Sequence, residues 1–300
     1  MNQKLQSWYK DLPVVVTGGA GFIGSHLVAQ LVALGATVTV IDNLVTGLEE
    51  NLAPYAEKIT FVKDDITNYG VCLQATKHAA IIFHLAAGVS VPESVDNPTL
   101  YHNTNVTGTF NMLEAARANG VDRFILSSSS AVYGPHQGVC SETTPTNPLS
   151  PYGFSKLMGE LYCAQYAQLG VSTVILRYFN VYGARQRADL PHAGLVATLR
   201  KKMQRNEPII LFGDGLQQRD FVPVEEVVAA NLSCGASSFD FKGECFNVAT
   251  GISRTVLSLV EEIRKEFPEY TQEIQFASAR PGDIYYSAAD CTKLKEMLSI

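Results

Sequence analysis

A parallel β-sheet wrapped by helices, followed by a smaller domain of mixed strands and helices, is the fold this 300-residue sequence predicts. Three observations carry it. Short β-branched runs alternate with helical patterns through the first half, the signature of strand–helix–strand units. The first of those runs ends in a glycine-spaced turn that opens a helix. Beyond Asn180 the alternation loosens into turns and one further helix.

In chain order, strands are expected at 14–18 (VVVTG), 37–42 (TVTVID), 59–64 (ITFVKD), 80–86 (AIIFHLA), 123–129 (RFILSSS) and 172–179 (STVILRYF), with helical patterns between them. A helix should start in SPYGFSKLMGE, because Ser150 suits an N-cap and Pro151 the first helical position. Farther on, VYGARQRADLPHAG reads as loop, LFGDGLQQRDF as turn-rich and VLSLVEEIRKEF as helix. With no repeat and no flexible linker, the two parts are expected to share one rigid interface, residues 1–179 with about 220–250 forming the larger domain and about 180–219 with 251–300 the smaller.

At 46% hydrophobic and 17% charged, the composition is that of a globular protein and excludes disordered and fibrous classes. No apolar run approaches the ~18 residues of a membrane span, since His84 and its small neighbours interrupt the most apolar stretch. The polar start MNQKLQSWYKDLP has no apolar signal core, so a soluble, cytoplasmic protein is expected. A net charge of −6 without a basic run argues against a nucleic-acid partner. Cys72, Cys140, Cys163, Cys234, Cys245 and Cys291 are scattered without a C-x-x-C pair, the pattern of reduced core thiols and not of a metal site.

The turn TGGAGFIGSHL spaces Gly18, Gly21 and Gly24 as G-x-x-G-x-x-G between a strand and a helix. Glycines there permit a tight turn, approach of the backbone to a pyrophosphate and close helix packing, while the helix N-terminus faces the phosphate charge. The spacing alone also suits a generic turn; Asp42, ending the second strand, adds an acid that can accept from a ribose 2'-hydroxyl and that repels a 2'-phosphate. Together these predict a dinucleotide site in a Rossmann-type doubly wound sheet. Tyr152 and Lys156, one turn apart, would be neighbours on a helix face, where the cation favours a phenolate; the same spacing also fits two polar residues without chemistry. Ser129, ending the fifth strand, lies at the sheet's carboxyl edge, where ligands of such folds bind.

With TGGAGFIGSHL, the Asp42-Asn43 pair, DDI at 64–66, HLAA at 84–87, SSSSAVYG, PYGFSK, RYFNVYG, FGDGLQQRDFV, FNVATG and RPGDI in this order, the sequence resembles the extended short-chain dehydrogenases of the NAD-dependent epimerase/dehydratase family that act on nucleotide sugars, nearest the UDP-hexose and UDP-N-acetylhexosamine 4-epimerases. The resemblance runs from Leu12 to the C-terminus. It implies NAD as cofactor and Tyr152 as acid/base on a sugar hydroxyl. Lys156 would bond the nicotinamide ribose and depress the tyrosine pKa, with Ser129 orienting the hydroxyl. Cofactor contacts are implied for Gly18, Gly21, Phe22 and Ile23, for Asp42 and Asn43, for Asp65 and Ile66 flanking adenine, for Leu85, Ala86 and Ala87, and for Asn105 and Tyr178. Substrate contacts are implied for Ser90, Ser129 and Asn180, for Arg219 and Arg280 on the diphosphate, for Asp283 on the uridine ribose, and for Ser287 beside the sugar C2 substituent.

Resembling dehydratases and decarboxylases carry acids where this chain has Ser130 and Ala131. Inversion at C4 needs no such acid, so a UDP-sugar 4-epimerase is expected. The small Ser287 and the loop SVPES lean toward UDP-N-acetylglucosamine and UDP-N-acetylgalactosamine, with some UDP-glucose activity. A UDP-glucuronate 4-epimerase is the nearest alternative, since Arg185 or Arg187 in GARQR could meet a carboxylate, although Asn180 stands where such enzymes tend to have threonine. A non-catalytic NAD-sensing protein is a further alternative that the Tyr152 and Lys156 pair disfavours. The family also implies a homodimer through helices at about Pro98–Asn119 and Pro151–Leu169, where Met112, Leu113, Leu157, Leu161 and Tyr162 could serve a core face and a partner face. Related chains run some tens of residues past the segment matching DCTKLKEML, whereas this sequence ends at Ile300.

Overall fold

In the computed structural model, which describes residues 3–190, 193–279 and 284–298, the β-branched runs of the first half become strands β1 (Pro13–Thr17), β2 (Thr37–Ile41), β3 (Ile59–Val62), β4 (Ile81–His84) and β5 (Arg123–Ser129). After the short β6 (Val139–Cys140) come β7 (Ser172–Tyr178) and, much later, β11 (Lys242–Val248). Excluding β6, these form one seven-stranded sheet in the order β11-β7-β5-β4-β1-β2-β3, parallel at every pair. The order reverses between β1 and β4. That switch point opens a crevice outside the carboxyl ends of the strands, where such sheets take ligands.

Helices cover both faces. On one lie α2 (Phe22–Ala33) and α9 (Val224–Gly235); Leu27, Val28 and Leu31 of α2 and Val227 and Val228 of α9 are buried there with Val14, Val16 and Phe83. On the other lie α3 (Tyr69–Ala75), α6 (Gly108–Asn119) and α7 (Pro151–Gln168), which bury Met112, Leu113 and Cys163 against Ile82, Phe124 and Ile175. Each buried aliphatic contributes roughly 1.5–3 kcal/mol, which is why the strands, covered on both sides, read as continuous apolar runs.

Beyond β7 the segments that read as loop and turn contain strands. β8 (Asn180–Tyr182), β10 (Gln218–Pro223), β12 (Ser253–Thr255) and β14 (Tyr286–Ala289) assemble with β6 into a mixed five-stranded sheet, in which only the β10–β12 pair is antiparallel. β9 (Ile209–Phe212) and β13 (Ile274–Ala277) pair separately. With α8 (Leu195–Gln204) and α10 (Val256–Arg264) they close a second core around Leu199, Phe221, Leu259 and Ile263. Among the described residues no helix is long and apolar enough to cross a membrane, and all six cysteines are free thiols, Cys245 alone less than fully buried.

Candidate active site

The glycine turn is held by space. Gly18, at φ +69°, donates its N–H to Ile41 O at 2.8 Å, and a Cβ there would come within 2.8 Å of Ala86 N. A Cβ on Gly24 would stand 2.1 Å from Gly18 O, so α2 can approach the turn only without a side chain. Gly21 is the N-cap of α2, whose end carries no side-chain cap and no acid in its first turn, with Phe22 and Ile23 half-buried behind it. An N-terminus of this kind suits a pyrophosphate.

Asp42 is buried at the end of β2. One carboxylate oxygen accepts from Ala20 N–H at 2.9 Å, the other from Leu44 N–H at 2.8 Å. The second bond steadies Leu44, a non-glycine residue at φ +60°. Burial raises the Asp42 pKa and the two backbone donors oppose it. A carboxylate has about four acceptor sites, so capacity remains for a ribose hydroxyl. Asn43 donates to Asp65 at 2.6 Å. Burial pushes the Asp65 pKa up, but the Thr67 N–H and the Asn43 amide outweigh it and the net shift is downward. Ile66 turns its side chain into the core, against Gly108. The glycine cradle, the uncapped helix end and the anchored acid fit a dinucleotide.

Across the switch point, Leu85, Ala86 and Ala87 leave β4 half-buried along the crevice. Leu85 and Ala86 donate their N–H groups to Thr17 Oγ1, each at 3.1 Å. The Thr17 hydroxyl then has its proton for His84 Nδ1 at 2.9 Å, while His84 Nε2 reaches Thr109 Oγ1 at 2.9 Å and Thr109 donates to Asn105 O at 2.6 Å. These directions assign His84 as the neutral Nε2–H tautomer. Burial, reinforced by the Lys156 cation, lowers its pKa to about 3. Asn105 is buried with its amide engaged: it accepts from Gly88 N–H at 2.8 Å and donates to Gly88 O at 3.0 Å and Ser155 Oγ at 2.8 Å. Tyr178 turns its phenol into the body, bonded to Ser127 and Asn231, with burial pushing its pKa up to about 12.

The helix expected after Ser150 begins there: Ser150 Oγ accepts from Gly153 N–H at 3.1 Å, and Pro151 occupies the first turn. Gly153 has a steric reason, since a Cβ would lie 2.9 Å from both Ala131 O and Pro148 Cβ. The first turn of α7 therefore seats against the turn that follows Ser129 and carries Tyr152 to it. Tyr152 and Lys156 are both buried. The ammonium donates to Ser127 O at 2.9 Å, and burial lowers its pKa to about 8 while Glu160 opposes the shift. The net shift of the Tyr152 pKa is upward, not the expected depression. Burial raises the Tyr152 pKa, and the group that opposes it is the Ser129 hydroxyl. Lys156 is directed to the strand end beneath.

Sequence reasoning missed the support under this helix. Glu160, one turn beyond Lys156, makes a buried bidentate pair with Arg177 at 2.9 and 2.6 Å and accepts from Ser128. The Arg177 guanidinium lies 4.7 Å from the Tyr133 ring centroid, and Tyr133 donates to Asn247 Oδ1 at 2.6 Å. The signal was the acid in KLMGE, four positions after the lysine.

In the second sheet, Arg219 and Ser287 are register partners on the parallel strands β10 and β14 and so share a sheet face. Arg219 donates to Gln218 O at 2.8 Å. Asn180 donates to Asp220 O at 3.0 Å. The Asp220 carboxylate, fully buried, accepts from Thr250 N–H, Thr250 Oγ1 and Gly251 N–H at 2.8–2.9 Å and so locks the turn in FNVATG; it lay unassigned in a quoted motif. Ser90 caps α4 (Val91–Asp96), accepting from Glu93 N–H at 3.2 Å. Arg280 and Asp283 lie outside the described residues. Arg185 donates to Ser25 O at 3.0 Å, while Arg187 pairs with Asp189 and reaches Thr46 O at 3.3 Å, so both engage the nucleotide end of the cleft.

A model of the NAD dependent epimerase/dehydratase family matches residues 14–249. A UDP-glucose 4-epimerase of Mycolicibacterium smegmatis is 39% identical over 292 residues, covering 95% of this chain and 91% of its own. Among solved structures, a UDP-N-acetylglucosamine 4-epimerase from Methanobrevibacter ruminantium in complex with UDP-N-acetylmuramic acid is 38% identical with a TM-score of 0.92, over 97% of this chain and 93% of that one. A UDP-glucose 4-epimerase from Thermotoga maritima with UDP-glucose is 38% identical with a TM-score of 0.90, over 96% and 93%. With a glycine cradle at the switch point, Tyr152 and Lys156 at the strand edge and this match over most of its length, the chain belongs to the NAD dependent epimerase/dehydratase family.

Proposed function

We propose that this protein is a UDP-sugar 4-epimerase that interconverts UDP-N-acetylglucosamine and UDP-N-acetylgalactosamine, with some activity on UDP-glucose and UDP-galactose. The observation that carries the reading is the turn beside Ser129: Ser130 and Ala131 offer no carboxyl group next to the Ser129–Tyr152 pair. Loss of water or of CO2 from the sugar needs proton transfer beyond C4, whereas inversion at C4 needs only one group that takes the hydroxyl proton and returns it. The relatives named as 4-epimerases support the same choice.

NAD supplies the hydride acceptor at C4 and the donor for its return to the other face. Gly18, Gly21, Phe22 and Ile23 would hold its pyrophosphate, Asp42 and Asn43 its adenosine ribose, and Asp65 and Ile66 its adenine, while Leu85, Ala86 and Ala87 would line its path, with Asn105 fixing that segment and Tyr178 completing the site. Tyr152 moves the proton at the 4-hydroxyl, Ser129 orients that hydroxyl, and Lys156 bonds the nicotinamide ribose. Burial favours the neutral phenol of Tyr152, and the Ser129 hydroxyl opposes that rise. Arg219 and Arg280 clamp the diphosphate, Asn180 and Asp283 hold the uridine side, and Ser90 lies at the sugar. The smaller domain, about 180–219 with 251–300, is the sugar-nucleotide domain of this proposal, and residues 1–179 with about 220–250 the NAD domain. Ser287, small and in register with Arg219, leaves room for an acetamido group. The nucleotide-end positions of Arg185 and Arg187 do not favour a uronate substrate.

The proposal includes a cytoplasmic homodimer. Met112 and Leu113 are spent on the protein's own core, but Leu100, Phe110, Phe154, Met158 and Leu161 stay exposed on the helices at 98–119 and 151–168, Leu161 at 63%. A dimeric mass by light scattering at micromolar concentration is expected, and a monomeric one would remove this part. Incubation with UDP-glucose, UDP-N-acetylglucosamine and UDP-glucuronate separately, with products identified by NMR, tests the function. C4-inverted product from the acetylated sugar is expected; inversion of UDP-glucuronate alone would replace the reading.

A further inference from the structure

Between β4 and α6 the chain makes an exposed excursion, Gly88 to Asp96, whose Val89, Val91 and Val95 are all solvent-facing. Little apolar burial holds this segment down. Beside the packing of α4 on α7, the polar contacts that hold it come from one helical stretch. Tyr101, the last residue of α5 (Pro98–Tyr101), is 1% exposed. Its hydroxyl accepts from Ser90 N–H at 2.9 Å and donates to Glu93 Oε2 at 3.0 Å. Burial, the largest influence, pushes its pKa up to about 12, so it keeps its proton for Glu93. The ring lies so close to Gly88 that a Cβ there would be 3.0 Å from it.

The other side of the same ring meets the catalytic helix. Tyr101 and Tyr152 pack edge to face, centroids 6.4 Å apart at 87°. Asn105, one turn on, makes the parallel connection: it grips both polar groups of Gly88 and donates to Ser155 Oγ, which donates to Tyr152 O at 2.7 Å. Asn105 lies within His102–Thr107, a π-helical turn that follows Tyr101 directly, a local widening that recurs at functional sites.

We infer that Tyr101 is a positioning residue whose hydroxyl latches the Gly88–Asp96 segment and whose ring braces Tyr152, so that the sugar-facing loop and the proton-transferring phenol share one support. The inference rests on the 4-epimerase reading for its kinetic consequences. The latch itself is a property of the fold.

Two variants of the NAD-loaded full chain separate the hydroxyl from the ring. Tyr101→Phe removes one hydrogen-bonded hydroxyl, worth about a fivefold change; the KM for the UDP-sugar rises by about that factor with kcat within about twofold, and the Ser90 amide exchanges its hydrogen about fivefold faster. Tyr101→Leu also removes the ring, and kcat falls by a further factor of about ten, the scale of an aromatic pair. Glu93→Gln, which keeps an acceptor, leaves KM within about twofold of the parent, as a neutral hydrogen bond allows. Unchanged Ser90 exchange in Tyr101→Phe overturns the latch, and equal loss of kcat in both Tyr101 variants overturns the division of roles. If the parent protein inverts no UDP-sugar, the 4-epimerase reading fails, and the amide exchange still decides the latch.

Discussion

At the nucleotide end of the cleft, Gly18, Asp42, Leu85 and Ser129 each stand within a residue or so of the carboxyl end of a parallel strand, and Tyr152 stands at the start of the helix packed on them. At the sugar end, Asn180, Arg219 and Ser287 come from short strands far apart in sequence that meet only through register. The first arrangement is local: a strand, a turn and a helix suffice to place each group. The second exists only once β8, β10, β12 and β14 have found one another. Under the proposed function, the first arrangement carries the chemistry and the second the sugar preference.

The strongest way to break this contrast is to remove the Tyr152 hydroxyl, to which the proposed function gives the proton transfer. Tyr152→Phe should lower turnover by about 10³-fold, within the range for general acid–base groups, while NAD remains bound and substrate affinity is little altered. Residual turnover near the parent rate, measured with stripped and reloaded cofactor, would relieve Tyr152 of its role.

A smaller effect tests whether the nucleotide end is rigid by virtue of its buried polar chain. With a folded pKa of about 3 against an ordinary 6.5, His84 stays neutral in the fold and takes up a proton on unfolding. Its contribution is complete above pH 6.5 and is lost progressively as pH falls toward 3. Between pH 6.5 and 4.5 that amounts to about 2–3 kcal/mol at 1.36 kcal/mol per pKa unit. In His84→Leu the acid limb of the Tm–pH curve should be flatter by about that amount, whatever the variant's absolute Tm. An identical slope would mean that His84 does not set the acid response.

The smallest expected effect lies at the sugar end. Ser287→Tyr, by filling the space beside Arg219, should reduce kcat/KM for UDP-N-acetylglucosamine about tenfold more than for UDP-glucose, the discrimination that a pocket achieves by volume. Equal losses on the two sugars would show that β14 does not set the preference.

How far the molecule could be read from its sequence follows the same division. Six strands of the large sheet are legible within a residue or two as β-branched runs, and Ser150 with Pro151 marks the start of α7, whereas the edge strand β11 is not, because only its last three residues are buried. In the second sheet the segments holding β8 and β10 read as loop and turn, and β6, β12 and β14 carry no strand signal, because these strands are short and take their partners from distant segments; Ser253–Thr255 is polar throughout and becomes a strand through β10. Among site residues, the glycine turn and Asp42 were legible as spacing. Asp220 was not, since its work is to hold a turn thirty residues away, and neither was the Glu160–Arg177 pair, which joins a helix to a strand across the interior. Tyr101 had no motif; its meaning lies in a ring that touches two segments at once.

The pairing of β6 with β14 bears on how ligands enter and leave. Enzymes with two lobes commonly open by rotating one lobe about a hinge. Here Val139 and Cys140, from the segment after the catalytic strand, are paired with Ala288 and Ala289, and Cys140 O accepts from both Asp290 N–H and the Asn247 amide. A strand that follows β5 is thus paired into the second sheet, and any wide rotation of one sheet against the other would have to break the β6–β14 pairing. The short β6 acts as a stitch between two sheets that are otherwise separate in their strand order.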